Sequence, residues 1–312
     1  MNDDKKNQNL VINTIRTLSM DAIQKANSGH PGAPMGLAPV TFKLFDQFMK
    51  FNPSNPSWPN RDRFVLSAGH ASMLQYAVLH LTGYDIPLKD IENFRQLNSI
   101  CAGHPEYGLA PGIECTTGPL GQGAATSVGF AIAERWLAHY FNKPGHEIIN
   151  YNTFVVAGDG CMMEGITSEA ASLAGHLGLN KLIWIYDSNN ITIEGKTDLA
   201  FSEDVALRFK AYDWAVQNVE DANDLNDLAD AIKNAKNEQE KPSLIIVKSH
   251  IAYGSPNKQD SAAAHGAPLG EDEVKATKKF YGWDAEQNFY IPQQAKDYRE
   301  QMIAKGESTE AD

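Results

Sequence analysis

Short apolar segments alternate with longer helical segments along most of this chain, and that alternation restricts its fold more than any other feature. The apolar segments are strand-sized, contain many β-branched residues and lie near 64–66, 153–157, 182–186, 214–219 and 244–248. Continuously apolar strands bracketed by helices are typical of a parallel sheet that is covered on both faces. The sequence therefore predicts an α/β fold, a doubly wound parallel sheet with helices on both faces.

Helical periodicity fills the segments between these strands. The predicted helices cover 71–81, 122–140, 166–177, 203–211 and 224–237. Asn223 is the predicted N-cap of the last of them. Another helix is expected to end near Ser28, and a loop rich in Gly and Pro is expected to follow it.

The chain is predicted to form one domain over residues 1–292, because no repeat, linker or low-complexity segment interrupts it. Residues 293–312 are polar and are predicted to be a C-terminal tail or a truncated linker. Within them, 294–303 is compatible with a helix, whereas 306–312 has the composition of a disordered segment.

The composition argues against several classes of function. Asp and Glu outnumber Lys and Arg by 39 to 27, and the resulting net charge of −12 disfavours nucleic acid as a partner. The apolar segments are much shorter than the roughly 20 residues of a membrane helix, and no secretory signal is recognisable. Cys101, Cys115 and Cys161 are too widely spaced for a disulfide framework or a structural zinc site. We therefore expect a cytoplasmic protein without nucleic-acid or membrane partners.

Polar residues follow two of the predicted strands. Residues 158–160 (GDG) come after one strand, and residues 189–190 (NN) come after the next, thirty positions beyond Asp159. The carboxyl ends of parallel strands share one edge of the sheet, where ligands bind. A carboxylate and an amide oxygen suit a hard divalent cation that also takes phosphate oxygens. Each motif alone is more often a plain turn or loop, but the pair at this spacing favours a metal–diphosphate site.

Loops with small residues carry the other candidates. Residues 116–123 form a Gly-rich loop before a long helix and can present backbone amides to a ligand, although such turns occur in many folds. Four loop histidines lie beside Gly, Ala or Pro, where a ring can approach a ligand and exchange a proton: His30, His70, His104 and His265. Helix capping, loop hydrogen bonds and a zinc cluster are the alternatives, the last disfavoured by the wide spacing.

Two glutamates begin the helix that follows residues 158–160. Glu164 and Glu169 are placed where they would complement the helix dipole. If they are buried near a cofactor, they would instead share and relay protons.

These motifs resemble those of thiamine-diphosphate enzymes and, among them, of transketolases. The general signature is GDG at 158–160 followed by NN at 189–190. The transketolase-like segments are SGHPGAPMG at 28–36, SAGHAS at 67–72, GHPE at 103–106, GPLGQG at 118–123, GSPNK at 254–258 and HGAPLG at 265–270. The resemblance extends from about residue 9 to about residue 292 and so covers nearly the whole chain.

The resemblance implies thiamine diphosphate with Mg²⁺ or Ca²⁺ as cofactors. The implied metal ligands are Asp159, the Asn189 side chain and the Ile191 carbonyl. The implied contacts to the cofactor are His70, Gly118, Pro119, Leu120, Gly160, Asn189 and His265. The residues implied to face the sugar are His30, His104 and His265. The implied proton network between the two active sites of a dimer contains Glu164 and Glu169.

The implied reaction transfers a two-carbon ketol unit from a ketose phosphate to an aldose phosphate in the pentose phosphate pathway. Transketolases also contain a second domain, which binds the pyrimidine ring and supplies an activating Glu. We expect this chain to be the diphosphate-binding subunit or fragment, forming a homodimer or working with a separate pyrimidine-binding chain. A dihydroxyacetone synthase, a deoxyxylulose-phosphate synthase and a non-catalytic cofactor- or partner-binding module are alternatives, and the segments around His30 and at 254–270 favour transketolase.

Overall fold

A parallel sheet forms the centre of the computed structural model, which describes residues 3–312. The strands are β1 (Arg63–Leu66), β2 (Thr153–Gly158), β3 (Leu182–Ser188), β4 (Ile191–Thr192), β5 (Gly195–Lys196), β6 (Ala215–Val219) and β7 (Ser243–Lys248). Five of them pair in the order β1-β2-β3-β7-β6, and every pair in this sheet is parallel. The remaining two, β4 and β5, form a small antiparallel hairpin directly after β3.

Helices surround the sheet. They are α1 (Asp3–Ala26), α2 (Gly32–Lys43), α3 (Ser72–Leu81), α4 (Leu88–Glu92), α5 (Gln122–Phe141), α6 (Asp159–Met163), α7 (Gly165–His176), α8 (Val205–Ala211), α9 (Leu225–Asn237), α10 (Glu271–Phe280) and α11 (Gln293–Ala311). No helix in this described part of the chain is long and apolar enough to cross a membrane.

Side chains of β3 show why the sheet needs cover on both faces. Ile183 and Ile185 belong to a core shared with α1, α2, α3, α9 and α11. Leu182 and Trp184 point the other way, into a core shared with α5, α7 and α8. Trp184 is fully buried there, and its indole Nε1 donates a hydrogen bond to the Ser127 hydroxyl over 3.0 Å. The predicted doubly wound α/β sheet and its five strands are therefore confirmed.

Two local predictions are wrong. The segment after Ser28 is not simply a loop, because Gly32–Lys43 forms α2 and all of its residues are buried. Packing between α1 and α3 outweighs the weak helix propensity of its Gly and Pro residues. The N-cap of α9 is Asp224, whose carboxylate accepts the backbone N–H groups of the first turn. The predicted cap, Asn223, instead accepts a hydrogen bond from Arg16 over 2.7 Å.

The disorder expected for 306–312 is also not found, because α11 continues to Ala311. Contacts with a distant loop hold its last turns. Asn52 and Asn55 each donate a side-chain hydrogen bond of 2.6 Å to the Glu310 carboxylate. Gly306 is buried against the same loop, so this polar sequence is ordered by partners that lie far away in the chain. The division of the chain at residue 292 stays a prediction.

Two helical glycines test the packing of α11. A Cβ on Gly306 would lie 2.6 Å from Pro53 Cδ and 2.9 Å from the Phe51 carbonyl oxygen, whereas a Cβ on Gly129 of α5 would meet nothing within 4 Å. We expect Gly129→Ala to raise the free energy of unfolding by about 0.5–1 kcal/mol, since Ala favours helix. Gly306→Ala should lower it by about 1 kcal/mol despite the same propensity gain. Urea titration measures both, and equal stabilisation would show that α11 is not docked as described.

Candidate active site

A cavity of about 200 Å³ lies where the carboxyl ends of β2 and β3 meet. The predicted site residues that line it are His70, Leu120, Asp159, Gly160, Glu164, Asn189, Ile191 and His265. Asp187, Ile193 and Ile251 line it as well, although the sequence did not single them out as site residues. The sheet register brings the two polar strand ends together, because Gly158 pairs with Asp187.

Asp159 is buried at the start of this cavity, with 4% of its surface exposed. One carboxylate oxygen accepts a hydrogen bond from the Tyr186 hydroxyl over 2.6 Å, and the other accepts the backbone N–H of Asn190 over 3.0 Å. Burial raises the pKa of Asp159 above its ordinary value. The carboxylate is thus held in place, but its charge is not neutralised by any ion pair of the described residues.

Asp187 is a second buried carboxylate beside the first. It accepts hydrogen bonds from the Ser249 hydroxyl and from the Asn189 side-chain amide, the latter over 2.9 Å. Burial raises the pKa of Asp187 to about 7; the Ser249 hydrogen bond opposes this rise, and the charge of Asp159 adds to it. In the sequence, only the position of Asp187 directly after an apolar strand indicated that it could belong to the site.

Asn189 is oriented by its neighbours. Its amide nitrogen is bound to Asp187, and its amide oxygen accepts the Ile191 backbone N–H over 2.9 Å. Asn189, Asp187 and Asp159 all line the same cavity. The described side chains include no group of three or more His, Cys, Asp or Glu arranged around a metal. A hard cation would fit here through carboxylate, amide and carbonyl oxygens, and it would neutralise the buried negative charge.

The Gly-rich loop reaches the cavity by crossing the end of β1 at close range. A Cβ on Gly69 would lie 2.9 Å from the Gly118 nitrogen, and a Cβ on Gly123 would lie 2.7 Å from the Ser67 Cα. Only glycine allows these two crossings. They bring Leu120 into the cavity wall. The neighbouring Pro119 is exposed.

Three of the four loop histidines form one cluster. The ring centroids are 4.9 Å apart for His30 and His70, 5.2 Å for His70 and His265, and 5.9 Å for His30 and His265. The Nδ1 atoms of His30 and His265 are buried and have no hydrogen-bond partner. Two nitrogens without partners are suitable for binding a polar ligand.

Burial keeps these rings neutral. Together with neighbouring positive groups, it lowers the pKa of His30 to about 4 and that of His70 to about 3. The pKa of His265 is lowered by burial as well. His104, the fourth loop histidine, is exposed and lies close to Gly118. At neutral pH these rings are uncharged, so a ring nitrogen that carries no proton can accept a hydrogen bond from a ligand.

Glu164 and Glu169 are not buried within this chain. A proton relay between them would require buried carboxylates. Glu164 borders the cavity with an exposed side chain, and Glu169 is exposed on α7. Among residues 5–312, neither side chain forms a hydrogen bond or an ion pair.

Comparison with known proteins agrees with this geometry. Residues 7–312 match the family model described as the thiamine diphosphate binding domain of transketolase. This chain belongs to the transketolase family. It is 56% identical to the transketolase of Halalkalibacterium halodurans over 97% of this chain and 45% of that protein. It is 50% identical to the transketolase of Aquifex aeolicus over 98% of this chain and 44% of that protein.

A solved structure gives the same result. The transketolase of Pichia stipitis in complex with sedoheptulose 7-phosphate superposes with a TM-score of 0.95 at 46% identity. The superposition covers 98% of this chain and 45% of the other chain. The chain therefore spans about 45% of the length of the transketolases that it matches. The predicted family and organic cofactor are supported, since the matched domain binds thiamine diphosphate.

The lowered pKa values predict how the histidines titrate. In the unfolded chain, histidine has a pKa of about 6.5. Between about pH 4 and 6.5 the unfolded state therefore binds more protons at His30 and His70, so they should make stability fall as the pH drops through that window. Proton–carbon NMR of the imidazole rings, assigned with His30→Gln and His70→Gln, should show neither ring titrating above pH 5. A midpoint near 6.5 for either ring would contradict the cluster.

Proposed function

We propose that this chain is the diphosphate-binding part of a transketolase and transfers a two-carbon ketol unit from a ketose phosphate to an aldose phosphate. The observation that supports this most is that two buried, unpaired carboxylates line one cavity together with His70 and His265, and that His30 packs against both of these rings. Related Pichia stipitis structures contain sedoheptulose 7-phosphate or xylulose 5-phosphate. The pentose phosphate pathway and the cytoplasm are part of the same proposal.

In this proposal Asp159, the Asn189 amide oxygen and the Ile191 carbonyl hold Mg²⁺ or Ca²⁺. The residues proposed to bind the organic cofactor are His70, Gly118, Pro119, Leu120, Gly160, Asn189 and His265. Thiamine diphosphate, when bound, supplies the electron sink that allows the C2–C3 bond of a ketose to break. The protein supplies position, charge compensation and proton transfer.

The chain's own residues prepare this site before any ligand arrives. Tyr186 and the Asn190 backbone amide fix the Asp159 carboxylate, so a cation meets preplaced oxygens. We assign His30, His104 and His265 to the sugar. Their neutral rings can accept a proton from a hydroxyl group or donate a hydrogen bond to a carbonyl oxygen. His30 and His265 are half-buried, which limits competition from water.

A partner subunit is the second part of the proposal. Large apolar side chains are exposed on α5 and α7, among them Trp136 and Tyr140 at 60% each and Leu173 at 46%. Trp136 and Tyr140 stack on each other with ring centroids 5.3 Å apart. Exposed patches of this kind usually mark interfaces. We propose that a second copy or a pyrimidine-binding chain covers it and brings Glu164 and Glu169 into a proton network.

Histidine variants test this assignment in an enzyme assembled with a pyrimidine-binding transketolase chain. We expect no ketol transfer from this chain alone and transfer from xylulose 5-phosphate to ribose 5-phosphate after mixing. His30→Gln and His104→Gln should slow turnover by about 10²–10⁴, since they lose a proton-transfer group. Affinity for thiamine diphosphate, measured by calorimetry, should stay unchanged.

His146→Gln is the matched control, because His146 is an exposed loop residue outside the cavity. It should leave turnover unchanged. Full turnover of both site variants would remove these histidines from the sugar site, and turnover by the isolated chain would contradict the need for a partner.

A further inference from the structure

A second cavity, of about 470 Å³, lies between α1, α10 and the segment that follows α10. Its volume is in the range that small-molecule sites have. It shares no lining residue with the cavity at the carboxyl ends of β2 and β3. Its walls include Lys25 of α1, Glu271 and Val274 of α10, and Phe289. A ligand in this cavity is therefore independent of the proposed function.

Phe289 contributes to this cavity from a strained backbone conformation. Its φ is +54°, in the left-handed region, which is an outlier for a bulky side chain. Such strain persists only where the surrounding structure enforces it, and it is concentrated at ligand-binding and switch regions. The ring also lies near a cation, since the Lys25 Nζ atom is 5.4 Å from its centroid. A strained residue thus supplies an aromatic ring to the cavity wall.

A buried ion pair holds the backbone at this point. The Lys278 Nζ atom lies 2.6 Å from Asp21 Oδ1, and the two side chains are 0% and 2% exposed. Asp21 accepts the Phe289 backbone N–H over 2.7 Å. Lys278 donates to the Gln287 carbonyl over 2.9 Å and to the Asn288 side-chain oxygen over 2.6 Å. Because burying two charges costs much of their hydration, the pair is better explained by the segment that it positions than by stability.

Two charges of opposite sign are open to a ligand at this cavity. The exposed Glu271 side chain forms no hydrogen bond or ion pair with residues 5–312. Lys25 pairs with Glu92 at 3.4 Å, but both side chains are well exposed, and such pairs are weak. Lys275 and Glu286, which also line the cavity, neutralise each other at 2.9 Å. One carboxylate and one ammonium group thus remain available.

We propose that this cavity binds a small zwitterion with an apolar side chain, of the α-amino acid class. The ammonium group of the ligand pairs with Glu271 and its carboxylate pairs with Lys25, both through charge-assisted hydrogen bonds. The side chain of the ligand packs against the Phe289 ring and Val274. A simple anion would be repelled by Glu271, and a simple cation would be repelled by Lys25. A zwitterion satisfies both charges.

Calorimetric titration of the full chain with three probes tests this. L-phenylalanine carries both charges, phenylethylamine lacks the carboxylate and phenylpropionate lacks the ammonium group. Phenylalanine should bind at least about tenfold more tightly than either analogue, because each analogue loses one charge-assisted hydrogen bond. Glu271→Gln should weaken phenylalanine binding about tenfold and leave phenylpropionate binding no weaker. Lys25→Gln should weaken phenylalanine binding similarly and leave phenylethylamine binding no weaker.

Asp272→Asn and Lys279→Gln are the matched controls, because both are exposed residues of α10 that do not line the cavity. They should bind phenylalanine like the wild type, and thermal unfolding shows whether each variant is folded. Absence of phenylalanine binding, or equal binding of the three probes, would overturn the inference. Full affinity in folded Glu271→Gln or Lys25→Gln, or an equal loss in the controls, would overturn it as well.

Discussion

Much of this structure depends on two carboxyl groups that are buried at the same edge of the sheet. Asp159 and Asp187 lie at the adjoining ends of β2 and β3, and the described chain supplies no cation to either. Such a pair is unfavourable in a dry interior unless hydrogen bonds and a positive ligand compensate it. The donors Tyr186, Asn190 and Ser249 provide the first part of that compensation. A divalent cation would supply the rest, so ligand binding and local stability are coupled at this edge.

The helices on both faces of the sheet explain why residues that are far apart in the sequence meet at its carboxyl edge. Helices on both faces leave the carboxyl edge as the place where loops from several elements converge. His30 follows α1, His70 follows β1 and His265 lies beyond β7, yet their ring centroids come within 5.9 Å of one another. Partial burial and their mutual contact lower the pKa values of His30 and His70 and keep these rings neutral at pH 7. Sheet topology thus determines the chemistry available at the edge.

The sequence predicts the sheet well because its strands are apolar on both faces. Such strands appear in the sequence as short, continuously apolar segments. It predicts the Asp159–Asn189 juxtaposition because parallel strands end at one edge. It does not predict α2, since burial between helices outweighs the propensities of Gly and Pro. The sequence does not predict the role of Asp187 for another reason. Asp187 is distinguished by its burial without a charged partner, and burial appears only when the chain is folded.

A crystal structure with thiamine diphosphate and Mn²⁺, a stand-in for Mg²⁺ that scatters anomalously, would show whether a cation binds between these strand ends. We expect one strong anomalous peak within about 2.0–2.4 Å of the Asp159 carboxylate, the Asn189 amide oxygen and the Ile191 carbonyl. The same experiment on Asp159→Asn should lose that peak while the fold is kept, since the amide removes the charge but not the shape. A peak elsewhere, or diphosphate bound without metal at this edge, would contradict this expectation.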